Sequence, residues 1–329
     1  MTQFPTPELR FAKHVGFGIY VIDTGMIRPQ SESCYVVLMR SPSQYHVAII
    51  DSGTNNSVPR VMGTLEDLGC SPEQVDFIIL THVHLDHAGG AGWLMQLCPQ
   101  AQLIVHPRGV RHMVDPSILM AGVVEVYGEA VAQAEYGQLI PIPIERIIAI
   151  EDDVMVDLCG RMLLCLDTPG HAKHHICIWD AMSSGIFTGD TFGLSYRELD
   201  TVAGEFIFPT TPPTQFDPKT LRITIKQLMA LNPEALYLTH FGKVMDVPVL
   251  CERYLKMLTL VEELGQALKS SQNRFLQLKE GLLNLYTQEL RDHGCQLSDS
   301  QISELLALDV DLNAQGMDIW LGQVSKSNG

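Results

Sequence analysis

The sequence predicts an α/β protein, and two patterns carry this prediction. Short apolar runs, such as 75–80, which is rich in β-branched residues, and 162–166, have the length of buried strands and end in turn residues. Between several of these runs, and throughout the chain from about residue 247, apolar residues recur three and four positions apart, which is typical of helices. We therefore expect a strand-rich portion followed by a C-terminal helical region.

The individual elements follow from the same patterns. A helix is expected over 57–68, because Gly69 directly after it is typical of a helix end. Asp51-Ser52-Gly53-Thr54 is expected to form a turn. The strands expected in the first half of the chain are 15–22, 34–39, 46–51, 102–105, 142–150 and 154–158, and the helices are 107–115 and 117–136.

The most informative segment is Thr81-His82-Val83-His84-Leu85-Asp86-His87, which directly follows a predicted strand. Sites in α/β sheets commonly form at this end of a strand. Alternate side chains of an extended loop point the same way, so His82 and His84 can bind one ion, while Asp86 and His87 lie beyond a bend and can reach a second. Without a metal, the cluster would crowd several polar groups together without partners.

Three further ligand-type side chains follow short apolar runs. They occur in Thr168-Pro169-Gly170-His171, Thr188-Gly189-Asp190 and Thr239-His240-Phe241-Gly242. If these strand ends converge, five imidazoles and two carboxylates meet, which is a suitable set for two divalent cations. Imidazole and carboxylate ligands accept zinc, iron and manganese.

Taken together in this order, THVHLDH, TPGH, TGD and LTH resemble the metallo-β-lactamase superfamily of hydrolases over roughly residues 15–250. The resemblance implies an αββα four-layer sandwich of two mixed β-sheets flanked by helices, with a C-terminal helical extension. It implies that the first metal binds His82, His84 and His171, that the second binds Asp86, His87 and His240, and that Asp190 bridges them.

The residue at position 190 indicates which branch of the superfamily the chain resembles most. Antibiotic-hydrolysing members usually carry Cys where this chain has Asp190, so the chain is more similar to the glyoxalase II-like branch. Flavo-diiron relatives carry an acidic residue in place of His84 and add a flavin domain, and neither feature is present.

The resemblance implies a dinuclear metal-dependent hydrolase, with zinc expected and iron or manganese as alternatives. A metal-bridging hydroxide, oriented by Asp86, would attack a small ester, thioester or lactone. The sequence contains no G-x-S-x-G motif that would provide a serine nucleophile. Two alternatives stay open at this point: a phosphodiester hydrolase on the same fold, and a metal-dependent ligand sensor without catalysis.

Composition limits the partners and the compartment. A net charge of −16 argues against nucleic acid and anionic membranes as partners, which leaves a small-molecule substrate. No run approaches ~18 uninterrupted apolar residues, and residues 1–5 lack the features of a secretion signal. The eight cysteines form no C-x-x-C pair, so we expect reduced thiols in a cytoplasmic protein.

The expected domains are a hydrolase domain over 1–247 and a helical region over 248–329 that acts as a lid, a cap or a dimerisation surface, so a homodimer is one option. The irregular segment 191–218 begins beside Asp190, and a loop of this length is often functional. The candidate substrate residues are Tyr196, Phe208, Thr210 and His175. The other interpretation is that the aromatic residues pack on the domain and that His175 is structural.

Overall fold

The computed structural model describes residues 4, 7–212 and 215–327, without the side chains of 126, 127, 131 and 324–327. Most of segment 1–5, where no secretion signal is expected, therefore lies outside the described residues. The described chain divides into two compact units: residues up to 167 with 174–189 and 233–245, and residues 168–173, 190–232 and 246 onwards. The division at residue 247 into a hydrolase domain and a helical region stays a prediction.

The first sheet has seven strands, arranged in the order of the sequence. Its strands are β1 (Ala12–His14), β2 (Ile19–Asp23), β3 (Ser33–Arg40), β4 (Tyr45–Ile50), β5 (Val75–Ile79), β6 (Gln102–Val105) and β7 (Ile147–Ala149). Strands β1 to β4 are antiparallel, whereas β4 to β7 are parallel. The parallel half brings the carboxyl ends of β4, β5 and β6 to one edge.

The second sheet has six strands in the order β13-β12-β11-β10-β9-β8. Its strands are β8 (Val154–Leu158), β9 (Arg161–Asp167), β10 (Ile176–Asp180), β11 (Gly185–Leu194), β12 (Ala235–His240) and β13 (Gly242–Val244). The hairpin formed by β9 and β10 pairs Asp167 with Ile176, so the segment between them, which contains His171, lies at one end of this sheet.

The two sheets pack face to face around an apolar core. Ile50 and Ile79 of the first sheet contribute to it, together with Cys165, Ile178 and Phe187 of the second. The opposite face of the first sheet is covered by the helices Val58–Asp67 and Ala91–Leu97, in a second apolar cluster. Two mixed sheets flanked by helices confirm the predicted αββα architecture.

The helices lie between the strands and at the C-terminal end of the chain. They are α1 (Val58–Asp67), α2 (Leu85–Ala88), α3 (Ala91–Leu97), α4 (Pro107–Val114), α5 (Ser117–Tyr127), α6 (Glu129–Tyr136), α7 (Pro218–Met229), α8 (Val247–Leu268), α9 (Arg274–Asp292), α10 (Asp299–Leu305) and α11 (Ala307–Ser327). Helices α8 to α11 pack around an apolar cluster of the second unit that includes Leu278, Leu282 and Met317.

Three predicted elements were wrong in their extent. The strand expected over 15–22 is β2, which begins only at Ile19, because Gly16, Phe17 and Gly18 adopt positive φ in a turn before it. The helix expected over 117–136 is two helices, because Gly128 adopts a φ of +82° that ends α5. The strand expected over 142–150 is reduced to β7, because a 3₁₀ turn over Ile144–Arg146 precedes it and Pro143 has no N–H to donate. The strands predicted at 102–105 and 154–158 are confirmed.

The cysteines are free thiols, with Cys159 exposed and the other seven buried. Burial raises the pKa of Cys165 to about 12, which keeps its thiol protonated. Within the described part of the chain, none of the helices combines the length and the apolar character that crossing a membrane requires.

Candidate metal centre

The loop after β5 holds the first two predicted ligands. His84 is the N-cap residue of the short helix α2, with the extended dihedral angles φ −64° and ψ 149°. The Nε2 atom of His82 lies 2.9 Å from the Nδ1 atom of His84, so the two side chains point to the same place, as the alternation predicted. The predicted bend is α2 itself, whose first turn contains Asp86 and His87.

A buried carboxylate, Asp51, organises this loop. Asp51 Oδ2 lies 2.8 Å from Nδ1 of His87, and Asp51 also accepts hydrogen bonds from the backbone N–H of Thr81 and from the hydroxyls of Thr81 and Thr239. Both Asp51 and His87 are almost completely buried. Because a carboxylate only accepts, His87 donates from Nδ1, which leaves Nε2 with the lone pair that a metal needs.

The sequence analysis missed this role of Asp51 and assigned the residue only to the end of a strand and the turn after it. Its signal was nevertheless present, because Asp51 directly follows β4 just as the predicted ligands follow other strands. The turn expected over 51–54 was wrong, because the structure shows no hydrogen-bonded turn or bend there, although Asp51 has a φ of +57°, a conformation that Asp tolerates better than most residues.

A second carboxylate, Asp86, lies between two imidazoles. Its Oδ2 atom is 3.5 Å from Nε2 of His87 and 3.7 Å from Nε2 of His240, the last residue of β12. His240 Nδ1 lies 3.2 Å from the carbonyl oxygen of Ser31, to which it can donate. This donation leaves Nε2 of His240 as the lone-pair nitrogen facing Asp86.

His171 and Asp190 form a third close pair, with Nε2 of His171 3.5 Å from Oδ2 of Asp190. Both side chains are at least nine-tenths buried. Asp190 was expected at a strand end, and this was wrong, because β11 continues to Leu194. Gly189 precedes it with a φ of +47°, and a Cβ atom there would lie 2.5 Å from His175 Nε2, so only glycine fits this approach.

All seven predicted ligands fall into three overlapping groups, within each of which one nitrogen or oxygen atom per residue lies within 4.8 Å of the others. The groups are His82, His84 and His171; His82, His87 and Asp190; and Asp86, His87 and His240.

The donor set fits divalent cations. Two ligands bound at about 2.1 Å to one tetrahedral ion lie roughly 3.4 Å apart. The separations of 3.5 and 3.7 Å at Asp86, and of 3.5 Å between His171 and Asp190, are close to this value. Imidazole nitrogens with carboxylate oxygens are the usual ligands of zinc, iron and manganese in proteins.

Two further histidines line the first group. The ring of His175 stacks on His82 with centroids 5.0 Å apart, and the ring of His174 meets His84 edge-on at 5.6 Å. Burial, followed by the neighbouring histidines, lowers the pKa of His174 to about 2, so this side chain is neutral. His175 is fully buried, and its predicted contact with substrate stays a prediction.

The structure favours a packing role for the two aromatic residues proposed to contact substrate. Phe208 is fully buried and Tyr196 is 5% exposed, and both belong to the apolar cluster of the second unit. The hydroxyl of Tyr196 donates to Asp309 at 3.0 Å. Thr210 is half-buried, and contact of Tyr196, Phe208 or Thr210 with substrate stays a prediction.

Comparison with known sequences agrees with this geometry. A sequence model of the Metallo-beta-lactamase superfamily matches residues 28–240. The metallo-beta-lactamase fold-containing protein ST1585 of Sulfurisphaera tokodaii is 26% identical over 257 residues, which are 75% of this chain and 86% of that protein. A hydroxyacylglutathione hydrolase of a Synechococcus strain is 26% identical over 163 residues, and the match spans half of each chain.

Solved structures show the same fold. The crystal structure of ST1585 aligns with a TM-score of 0.63 and 22% identity, covering 92% of this chain and 98% of that one. The metallo-beta-lactamase family protein TTHA1429 from Thermus thermophilus aligns with a TM-score of 0.64 and 19% identity, covering 95% of each chain. The fold therefore extends over nearly the whole chain.

Proposed function

Because the chain belongs to the metallo-β-lactamase superfamily and is a metal-dependent hydrolase, we propose that it hydrolyses a small ester, thioester or lactone at a centre of two divalent cations. The observation that carries the proposal is the overlap of the three ligand groups, which supply five imidazoles and two carboxylates. A single ion has no use for seven such ligands, whereas two ions with open positions for water and substrate do.

In the proposed centre, the first cation binds three imidazoles, the second binds two imidazoles and a carboxylate, and another carboxylate bridges the cations. These ligands are His82, His84 and His171 for the first, Asp86, His87 and His240 for the second, and Asp190 as the bridge. The group that combines Asp190 with His82 and His87, one ligand of each cation, supports the bridging role. Zinc is the cation that we expect, and iron and manganese suit the same ligands.

When bound, the cations would supply an activated water, whose pKa falls from about 15.7 to roughly 7, and would polarise the substrate carbonyl. The side chain of Asp86 is 27% exposed, whereas that of His87 beside it is buried, so Asp86 can also accept a hydrogen bond from the attacking water and orient it. Asp51 keeps the Nδ1 proton of His87 in place. No side-chain nucleophile is needed.

Two observations support carbonyl chemistry and the glyoxalase II-like branch. Position 190 is Asp rather than Cys, and the Synechococcus relative is named as a hydrolase of hydroxyacylglutathione, although the match spans only half of it. The net charge of −16 supports a small molecule rather than a nucleic acid or an anionic membrane as partner. A cytoplasmic location and a homodimer stay predictions.

The experiment is a substrate panel on protein that has been stripped of metal and reloaded separately with zinc, iron or manganese. The panel contains acyl thioesters, lactones, p-nitrophenyl esters and p-nitrophenyl phosphodiesters. We expect about two metal equivalents per chain and turnover of a carbonyl substrate that disappears on chelation. Turnover confined to phosphodiesters would contradict the proposed substrate class, and tight metabolite binding without any turnover would identify a sensor.

A further inference from the structure

Tyr254, on α8, has an unusual environment for a tyrosine. Its side chain is completely buried, and its hydroxyl has no hydrogen-bond partner among the described residues. Burying a hydroxyl without a partner costs free energy, so most buried hydroxyls are paired with protein or with an ordered water. The buried hydroxyl of Tyr254 therefore indicates a hydrogen-bond partner other than the side chains packed around it.

The position of Tyr254 indicates which group this partner is. The ring of Tyr254 packs against the ring of Phe192, with centroids 5.7 Å apart. Phe192 lies two residues after Asp190 in β11, and residues two apart in a strand point to the same face. Tyr254 therefore lies on the face of β11 to which the Asp190 carboxylate points.

The charges around Tyr254 agree with this position. Burial, and next the negative charge of Asp190, raise the pKa of Tyr254 well above its ordinary value. A carboxylate only accepts hydrogen bonds, so a phenol hydroxyl beside it acts as the donor.

We propose that Tyr254 is a positioning residue for Asp190. Its hydroxyl donates to a single buried water that bridges to the carboxylate, and this link fixes the orientation in which Asp190 ligates the cations. Ligating carboxylates depend on such outer partners, whose loss weakens metal binding. The inference rests on the proposed function, because it takes Asp190 as a metal ligand.

Tyr286, on α9, provides a matched control in the same unit. It is also completely buried, but its hydroxyl accepts a hydrogen bond from Nδ2 of Asn313 at 3.1 Å. Asn313 in turn bonds the backbone N–H of Thr211 and the carbonyl of Pro209. The hydroxyl of Tyr286 is thus part of a structural network, whereas that of Tyr254 is not.

The test compares Tyr254→Phe with Tyr286→Phe, since each removes one oxygen atom and keeps the ring. Zinc affinity is measured by competition with a chromophoric chelator, and thermal unfolding is measured on the metal-free proteins. Tyr254→Phe should weaken zinc binding by about tenfold to a hundredfold, with an unchanged or higher unfolding temperature without metal. Tyr286→Phe should lower that temperature and leave zinc affinity unchanged.

Wild-type zinc affinity in Tyr254→Phe would overturn the inference while leaving the proposed function in place. A loss of metal-free stability as large as that of Tyr286→Phe would also overturn it, because the hydroxyl would then have a structural partner. If the wild-type chain bound no divalent cation at all, the proposed function would fail first and the inference with it.

Discussion

Two regions of the molecule are stabilised in opposite ways. The polar edge, which we define as Asp51, Thr81, His82, His84, Asp86, His87, Thr239 and His240, is a set of hydrogen-bonded and closely spaced polar groups. The helical core, defined as the apolar cluster formed by α8 to α11 with their packing partners in the second unit, is held together mainly by leucines and aromatic rings.

This difference indicates in which region the loss of a single atom should change function and in which it should change stability. In the polar edge, buried groups such as Asp51, Thr81 and Thr239 have specific hydrogen-bond partners, so the loss of one atom leaves a buried group unsatisfied. In the helical core, stability depends on apolar volume, and changes that conserve volume are tolerated. Function should therefore be sensitive in the first region and stability in the second, and four predictions test this contrast.

The largest effect is expected at the predicted ligands. His84→Ala and Asp190→Ala should lower the metal content and reduce hydrolysis to the background rate while the fold persists, because the apolar core between the sheets is separate from these side chains. Elemental analysis, activity and circular dichroism measure the three quantities. His46→Ala is the control, because His46 pairs with Asp76 away from the ligand groups and should keep the metal. Full two-metal occupancy in Asp190→Ala would show that Asp190 is not the bridge.

Substitutions in the helical core should change the stability of the protein and leave its metal content unchanged. Leu282→Ala in α9 removes a completely buried side chain and should lower the free energy of unfolding by about 3 kcal/mol. Leu276→Ala in the same helix changes a side chain that is 65% exposed and should cost little. Urea denaturation measures both, and metal content should stay at the wild-type level. A loss of metal in Leu282→Ala at temperatures where the protein is folded would contradict the expectation that the helical core affects stability alone.

Asp51→Asn tests whether the polar edge depends on a carboxylate that lies outside the three ligand groups. The amide has nearly the same shape but presents an N–H₂ group, so it cannot satisfy His87, Thr81 and Thr239 together as the carboxylate does. We expect metal affinity to fall by about tenfold to a hundredfold. Zinc competition measures it, with Asp76→Asn, which pairs with His46, as the control. Unchanged affinity would mean that the tautomer of His87 is fixed in another way.

The smallest effect is expected at the start of α10. Ser298 and Gln301 form a capping box, in which the Ser298 hydroxyl accepts from the Gln301 N–H and the Gln301 side chain accepts from the Ser298 N–H. Ser298→Ala should lower the free energy of unfolding by about 1 kcal/mol, whereas Ser298→Asp should keep the cap. Thermal unfolding compares the two variants. Equal stability in both would show that the exposed cap contributes nothing.

The sequence located the candidate ligand cluster better than it located the elements around it. His82, His84 and His171 could be found because imidazoles directly after apolar runs are rarely explained by packing, and the structure brings all three together. Asp51 was missed, because an aspartate in a turn is common and its partners Thr81 and Thr239 are far away in the sequence.

The errors in the predicted helices and strands also come from tertiary structure, which the sequence pattern does not show. Periodicity cannot locate the break at Gly128, because a glycine is tolerated within a helix and only the local path of the chain requires its positive φ. The burial of Tyr196 and Phe208 was likewise not visible in the sequence, because the apolar cluster that buries them includes helices after residue 246.

The sequence by itself determined the kind of chemistry, because metal ligands must be particular side chains and their order along the chain is visible without a fold. Tertiary structure alone decided which nitrogen of each histidine faces the others, that Asp51 holds His87, and that the hydroxyl of Tyr254 is buried beside the strand of Asp190. These features depend on distances between residues remote in sequence, and such distances are set only when strands pair and helices pack.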